Sequence, residues 1–279
     1  MKNNNFGRNF MQEITDQTTV SPDEIIWEFH KLHQKMYDEH GLTSLTGLNR
    51  EYRLQGRNLL MWHSEATRKC SLKYSNRYYF SKNFDDILFC SEEILYFTGS
   101  LYVYKPYINN PLDDAAYFSG RMVYPNYQNH YGKRYGMFGD IASQCVYNFW
   151  DRIGDMIAAF FPDKINSTRV FFTTALDIIP PQFHSNENYI WLDNFRRTEY
   201  KEVNDRRKQV VHYTTIETDF KYQQLEKGSN DREAMEKIQA EREALPDYYK
   251  KHIDYSLEGM AKALLMLEEI GNTLFSDIA

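Results

Sequence analysis

Asn204-Asp205-Arg206-Arg207-Lys208-Gln209-Val210-Val211-His212-Tyr213 sets three cations and a histidine around an apolar stripe formed by Val203 and Val210, seven residues apart. With Leu192 and Phe195 upstream, that spacing predicts one long helix beginning between Ser185 and Asn188. On an ideal helix Arg207 and His212 differ by about 140° around the axis and roughly 7.5 Å along it, so they cannot share one face. Arg206 and Arg207 flank the apolar stripe, whereas His212 lies in line with Asp205 and Lys208. A site using both Arg207 and His212 therefore sits at the helix edge and needs a neighbouring helix or a second subunit to complete it.

Charge around this segment is opposite to that of the whole chain. Between Arg196 and Lys208 stand six basic residues (Arg196, Arg197, Lys201, Arg206, Arg207, Lys208) and three acids (Glu199, Glu202, Asp205). Such a patch can hold phosphates locally. Its plainer reading is a solvated helix face laced with i,i+3 and i,i+4 ion pairs. The chain of 279 residues carries a net charge of −6, so its overall field repels a polyanion and any nucleic-acid role must rest on the local patch.

Working outward, the same apolar periodicity organises most of the chain. Ser21-Pro22-Asp23-Glu24 supplies an N-cap, a first-turn proline and acids ahead of Ile25, Ile26, Phe29, Leu32 and Met36, which predicts a helix to about His40, stopped by Gly41. A second helix is expected from about Asn49 to Cys70. Asn83-Phe84-Asp85-Asp86 opens a third pattern carrying Ile87, Ile94, Leu101 and Tyr102, and Phe138, Ile141, Cys145, Phe149, Ile153, Ile157 and Phe160 define another that Pro162 terminates. Between them, residues 105 to 134 read as a long loop rich in Pro, Asn, Tyr and Gly. Residues 166 to 180 fit a strand or a short buried helix, and Glu217 to Glu243 fits a solvated helix or mobile loop. Pro246 and Asp247 then start a closing helix whose Ile253, Leu257, Met260, Leu264, Leu267 and Leu274 follow a, d spacing and call for a bundle or dimer partner. The expected division is a flexible arm over residues 1–20, a helical extension over 21–80 and a helical bundle over 81–279.

Several function classes are excluded by what the sequence lacks. It has no GxGxxG or GxxxxGK[ST] loop, which removes Rossmann and P-loop nucleotide chemistry. Cys70, Cys90 and Cys145 are odd in number and form no CxxC or Cys/His ligand cluster, which suits a reducing cytoplasm. Met1 leads into an Asn-rich polar stretch, and no apolar run reaches the roughly 18 residues a membrane span needs. A cytoplasmic protein without membrane contact, metal or other cofactor is expected. His30 and His33 form an HxxH pair without the glutamate of HExxH, a poor metal-hydrolase signal.

Arg and His together suffice for RNA cleavage without metal. A His of ordinary pKa near 6.5 can deprotonate the 2′-hydroxyl or protonate the leaving oxygen, and an always-charged Arg can meet charge building on phosphate oxygens. The arrangement Arg207, four residues, His212, followed by Tyr213 and a closing helix, resembles the HEPN superfamily of small helical bundles over roughly residues 82 to 276. Lys208 stands where the family usually has a small polar residue after the arginine, and Arg206 with a gap of five is an alternative motif arginine. A second match, Arg57-Asn58-Leu59-Leu60-Met61-Trp62-His63, has Asn in that place but reads more simply as a buried helix.

The resemblance implies an all-α, HEPN-like four-helix bundle with additional N-terminal helices. It also implies a metal-independent endoribonuclease working as a homodimer, of the kind found in toxin–antitoxin, abortive-infection and CRISPR defence systems, with RNA as substrate and an antitoxin or regulatory protein as partner. In that scheme Arg207 and His212 are catalytic, and Asn204, Asp205, Arg206, Lys208 and Tyr213 support them or hold phosphate. Other HEPN proteins are noncatalytic modules that bind RNA, a nucleotide or a partner protein.

Overall fold

The computed structural model describes residues 21–48, 52–125, 129–164, 170–226 and 230–278. The arm expected over residues 1–20 lies outside them, as do the first residues of the expected second helix at 49–51. Among the described residues the architecture is all-α, with two short antiparallel hairpins as its only sheet structure.

Helix α1 (Pro22–His40) has the predicted ends: Ser21 and Glu24 form a reciprocal capping box, and Gly41 closes the helix at φ 61°. The next helix, α2 (Leu59–Tyr74), starts well after the expected position near Asn49. Gln55 and Gly56, both at positive φ, turn the chain between strands β1 (Arg53–Leu54) and β2 (Arg57–Asn58), and only then does the Asn58 side chain cap the Met61 N–H. Turn chemistry overrides helical patterning there.

Helix α3 (Arg77–Tyr104) begins six residues before Asn83, because Asn83 does not cap. Its side chain instead points inward and donates to the Arg152 carbonyl at 3.0 Å. This helix runs continuously through the expected boundary at residue 81. The excursion after it carries a hairpin, β3 (Ala116–Phe118) with β4 (Arg121–Val123), and is shorter than expected, since Asn129 caps helix α4 (His130–Ala158). That helix ends before Pro162, the expected stop. Of the stretch over 166 to 180, residues 166–169 lie outside the described residues, and the remainder carries a short helix, α5 (Phe172–Asp177).

The single long helix expected around the arginines is two. Helix α6 (Glu187–Arg197) and helix α7 (Glu199–His212) are separated at Thr198, whose backbone (φ −110°, ψ −92°) leaves the helical region while its hydroxyl bonds back to Asn194. The charged stretch beyond is not a bare solvated segment. It forms α8 (Ile216–Glu226) and α9 (Arg232–Glu243), and α9 buries Met235 and Ile238 against Tyr124 in a small separate cluster. A nearly buried Arg242–Glu217 ion pair at 2.6 Å ties the two together. Helix α10 (Leu245–Leu274) closes the chain, starting one residue before the expected Pro246.

The core lies where α3 and α4 pack along their lengths and α10 crosses them, with α2 and α6 on the flanks of α10. Trp150, Phe149, Ile153, Met260, Leu264 and Leu267 are fully buried there. Gly259 makes this crossing possible, because a Cβ on it would lie 2.2 Å from the Trp150 ring. The a, d stripe read from α10 is thus consumed by the chain's own bundle, and only Leu274 at its end is exposed.

Candidate functional site

Helix α7 is held to α4 by its first turns. Tyr200 and Val203 are buried; the Tyr200 ring stacks on Tyr147 at 5.9 Å and its hydroxyl donates to Asp151 at 3.3 Å. Burial raises the Asp151 carboxyl above its usual range, while the Phe172 N–H and the two tyrosine hydroxyls oppose that rise. Farther along, Arg207 meets Gln144, and past the helix the Ile216 N–H donates to Asp140. The motif helix therefore runs antiparallel to α4, with Tyr200 and Val203 buried near its start and Val211 and His212 exposed at its end.

Arg207 is the arginine on the α4 side. Its Nε donates to Gln144 Oε1 at 3.3 Å, and its guanidinium covers the Tyr147 ring at 4.4 Å. Gln144 is itself fixed by donating to Asn148 at 2.7 Å. Both partners of Arg207 are neutral, so its charge is positioned without being cancelled, and no carboxylate lies in ion-pairing range of it among the described residues.

Four other cations of the run each have a carboxylate within reach. Arg196 bonds Asp177 and Asp193, Arg197 shares Asp193 at 2.8 Å, and Lys208 lies 3.8 Å from Asp205. Arg206 points to the opposite side of α7, over the Tyr248 ring at 4.4 Å and 4.0 Å from Glu202. It lines a groove of about 520 Å³ together with Glu202, Asp205, Asp219 and Glu241. One guanidinium among four carboxylates does not gather phosphate. The basic patch of the sequence is therefore divided: Arg207, held by neutral partners, and the exposed Lys201 are its parts without a carboxylate partner among the described residues.

His212 is the last residue of α7 and is exposed, with the exposed Tyr213 ring 6.4 Å away as its aromatic neighbour. No contact joins it to Arg207 among the described residues. Asn204 is half-buried, while Asp205, Lys208 and Tyr213 are exposed. Within one chain the motif is thus an anchored cation and a free imidazole on different faces of one helix.

Arg57 and His63 form a different arrangement. Arg57 makes a two-pronged ion pair with Glu268 (2.5 and 2.8 Å), adds Glu65 at 3.3 Å and covers Trp62 at 4.3 Å. His63 is buried and stacked on Phe84 at 4.2 Å, and burial pushes its pKa down to about 4. The HxxH pair does not converge either. His33 is buried and bonded to the Phe29 carbonyl and Ser100, while His30 stays exposed beside Trp27.

Gln144 and Tyr147 were invisible as site residues in the sequence. They lie about sixty positions from Arg207, and only their i,i+3 spacing on α4 could have marked them as neighbours on one face.

A family model described as HEPN_Cthe2314-like HEPN matches residues 96–275. The chain belongs to this HEPN family. The match bears out the resemblance to the HEPN superfamily, and the helical architecture agrees with it. Its span opens inside α3 and closes just beyond α10, so it takes in the motif helix and both flanking excursions and leaves α1 and α2 outside the matched HEPN region. No curated protein and no solved structure gives a significant match. Among the described residues no helix is long and apolar enough to cross a membrane.

Proposed function

We propose that this HEPN protein is a metal-independent endoribonuclease, acting as a homodimer and belonging to a toxin or phage-defence system. The observation that carries the reading is the state of Arg207: half-buried, oriented by Gln144 and Tyr147, and left with its full charge in an acidic protein. A cation held by neutral partners is preorganised for an anionic ligand and costs no ion pair when one arrives. His212, exposed five residues later, is the general acid or base that moves a proton to or from the ribose 2′-hydroxyl or the leaving 5′-oxygen. Arg207 steadies the charge on the non-bridging phosphate oxygens. Because the two groups sit on different faces of α7, each cleft takes its arginine and its histidine from two copies of the helix related by a two-fold axis. Asn204, Asp205, Lys208 and Tyr213 border that cleft, and Lys208 adds phosphate contact.

The test is RNA cleavage by the purified protein in excess EDTA, comparing wild type with Arg207→Ala and His212→Ala. The expected outcome is EDTA-resistant cutting by wild type and a loss of roughly 10²-fold or more in each variant. Intact RNA with wild type, or equal cutting by all three proteins, sinks the proposal.

A noncatalytic reading is favoured by a separate observation, the acid-lined groove beside Arg206. A module that binds a basic partner there would leave RNA uncut and would lose that partner when Glu202 and Asp219 are replaced by Lys.

A further inference from the structure

Helix α1 buries little of the apolar surface it carries. His33 is its one buried residue, locked to α3 by a 2.8 Å bond to Ser100 and a stack on Tyr96, while Tyr37 lies against Gly99 and His40 stacks on Tyr102. All of these contacts lie in its second half. Ile26 shares the face of His33 and Tyr37, yet it is 67% exposed, so the first turns run past the edge of the bundle. Ile25 is 59% exposed and Leu32 46%.

Four apolar residues of α1, two exposed (Ile25, Leu32) and two half-buried (Phe29, Met36), are ordered along it. Ile25, Phe29, Leu32 and Met36 are spaced by four, three and four residues, which places them on one seam about 60° wide. The seam is rotated by roughly a quarter turn from the face that docks on α3, so docking leaves Ile25 and Leu32 exposed and Phe29 and Met36 half-buried, with Met36 reaching the core. A helix this short, with half its length off the body, is marginal in water unless its apolar face is covered.

Charges flanking the seam identify the cover. On its solvent side lie Glu28 and Lys35, one in each half of the helix. If two copies of α1 lie antiparallel about a two-fold axis between Phe29 and Leu32, Ile25 meets the partner's Met36 and Phe29 meets the partner's Leu32. Glu28 then faces the partner's Lys35, and Lys35 the partner's Glu28. In the monomer these two charges have only exposed partners within their own helix, Lys31 and Glu39, which they can exchange at little cost. A parallel pair would instead direct Glu28 toward a His33 already buried in its own chain.

We propose that α1 is a homotypic docking helix: the Ile25–Phe29–Leu32–Met36 seam of one molecule packs antiparallel on the same seam of a second copy. This interface lies outside the residues matched by the HEPN family and does not involve the motif helix. The seam and charge variants therefore test it separately from the ribonuclease reading, which calls for a pairing through the motif helix instead.

Sedimentation equilibrium of the full chain tests it, with circular dichroism to verify that each variant keeps its helix content. Ile25→Glu combined with Leu32→Glu removes one association step outright. Glu28→Lys and Lys35→Glu each weaken that step roughly tenfold, because two attractive pairs become repulsive. An equimolar mixture of the two single variants regains wild-type strength, since every cross-pair is again opposite in charge. A wild type that stays monomeric at high micromolar concentration, seam variants that associate as wild type does, or a mixture no tighter than its components would each overturn the proposal. Ribonuclease activity does not enter the readout.

Discussion

Arg57 and His63 are separated by five residues and Arg207 and His212 by four, and both pairs ride on or beside helices that pack against the same bundle. At the first pair the arginine is spent on two carboxylates and an indole ring, and the histidine is sealed beneath Phe84. At the second, the arginine is held by an amide oxygen and a phenol ring, and the histidine is open to solvent. A short motif does not carry function in its spacing. What separates the two is whether the surroundings cancel the charge and bury the base.

That contrast can be broken most directly at Arg207. Arg207→Ala should lower RNA cleavage roughly 10²-fold or more while moving the urea midpoint little, because the lost contacts are one long hydrogen bond and a partly exposed ring stack. Arg57 should behave in reverse. A cleavage defect in Arg57→Met comparable to that of Arg207→Ala would mean the working pair has been misplaced.

His63→Ala should cost about 2–4 kcal/mol in denaturant unfolding, since it empties a fully packed ring site between α2 and α3. Cleavage measured well below the melting temperature should persist. The same histidine sharpens the comparison through pH. Its folded pKa is depressed from the usual 6.5 to about 4, so the unfolded chain takes up the proton first as pH falls. Its contribution to stability is whole above about pH 6.5 and is lost progressively down to about pH 4, roughly 3 kcal/mol at most. In His63→Phe, which keeps the stack and strands no hydrogen bond from the unpartnered Nε2, that part of the acid limb should flatten. An unchanged pH profile would show that the ring is not sealed.

The smallest expected effect is that of Arg57→Met. It keeps an apolar stem over Trp62 but leaves Glu268 without its two-pronged partner, a loss of about 1–2 kcal/mol given that both groups are partly exposed. Thermal unfolding measures it.

Much of the fold was legible because it is written locally. The Ser21 capping box, Gly41, and the apolar period of α4 and α10 each follow from residues within a few positions of one another. Misreadings arose where a distant residue or a turn overruled the period: Gln55 and Gly56 delayed α2, Asn83 went to Arg152 instead of capping, and Thr198 broke the motif helix. Met235 and Ile238 gave the 217–243 stretch too sparse an apolar signal to reveal that α9 has a buried face.

By itself the sequence determined the helical class, the family, and the placing of Arg207 and His212 on different sides of one helix, since each depends only on order and spacing along the chain. Tertiary structure alone decided that Arg206 faces an acidic groove, that Arg207 rests on Gln144 and Tyr147, and that Arg57 is neutralised by Glu268. The state of a charge is set by whatever stands within a few ångströms of it, and for Arg207 and Arg57 the neighbours just named come from positions 60 to 211 residues away in the chain.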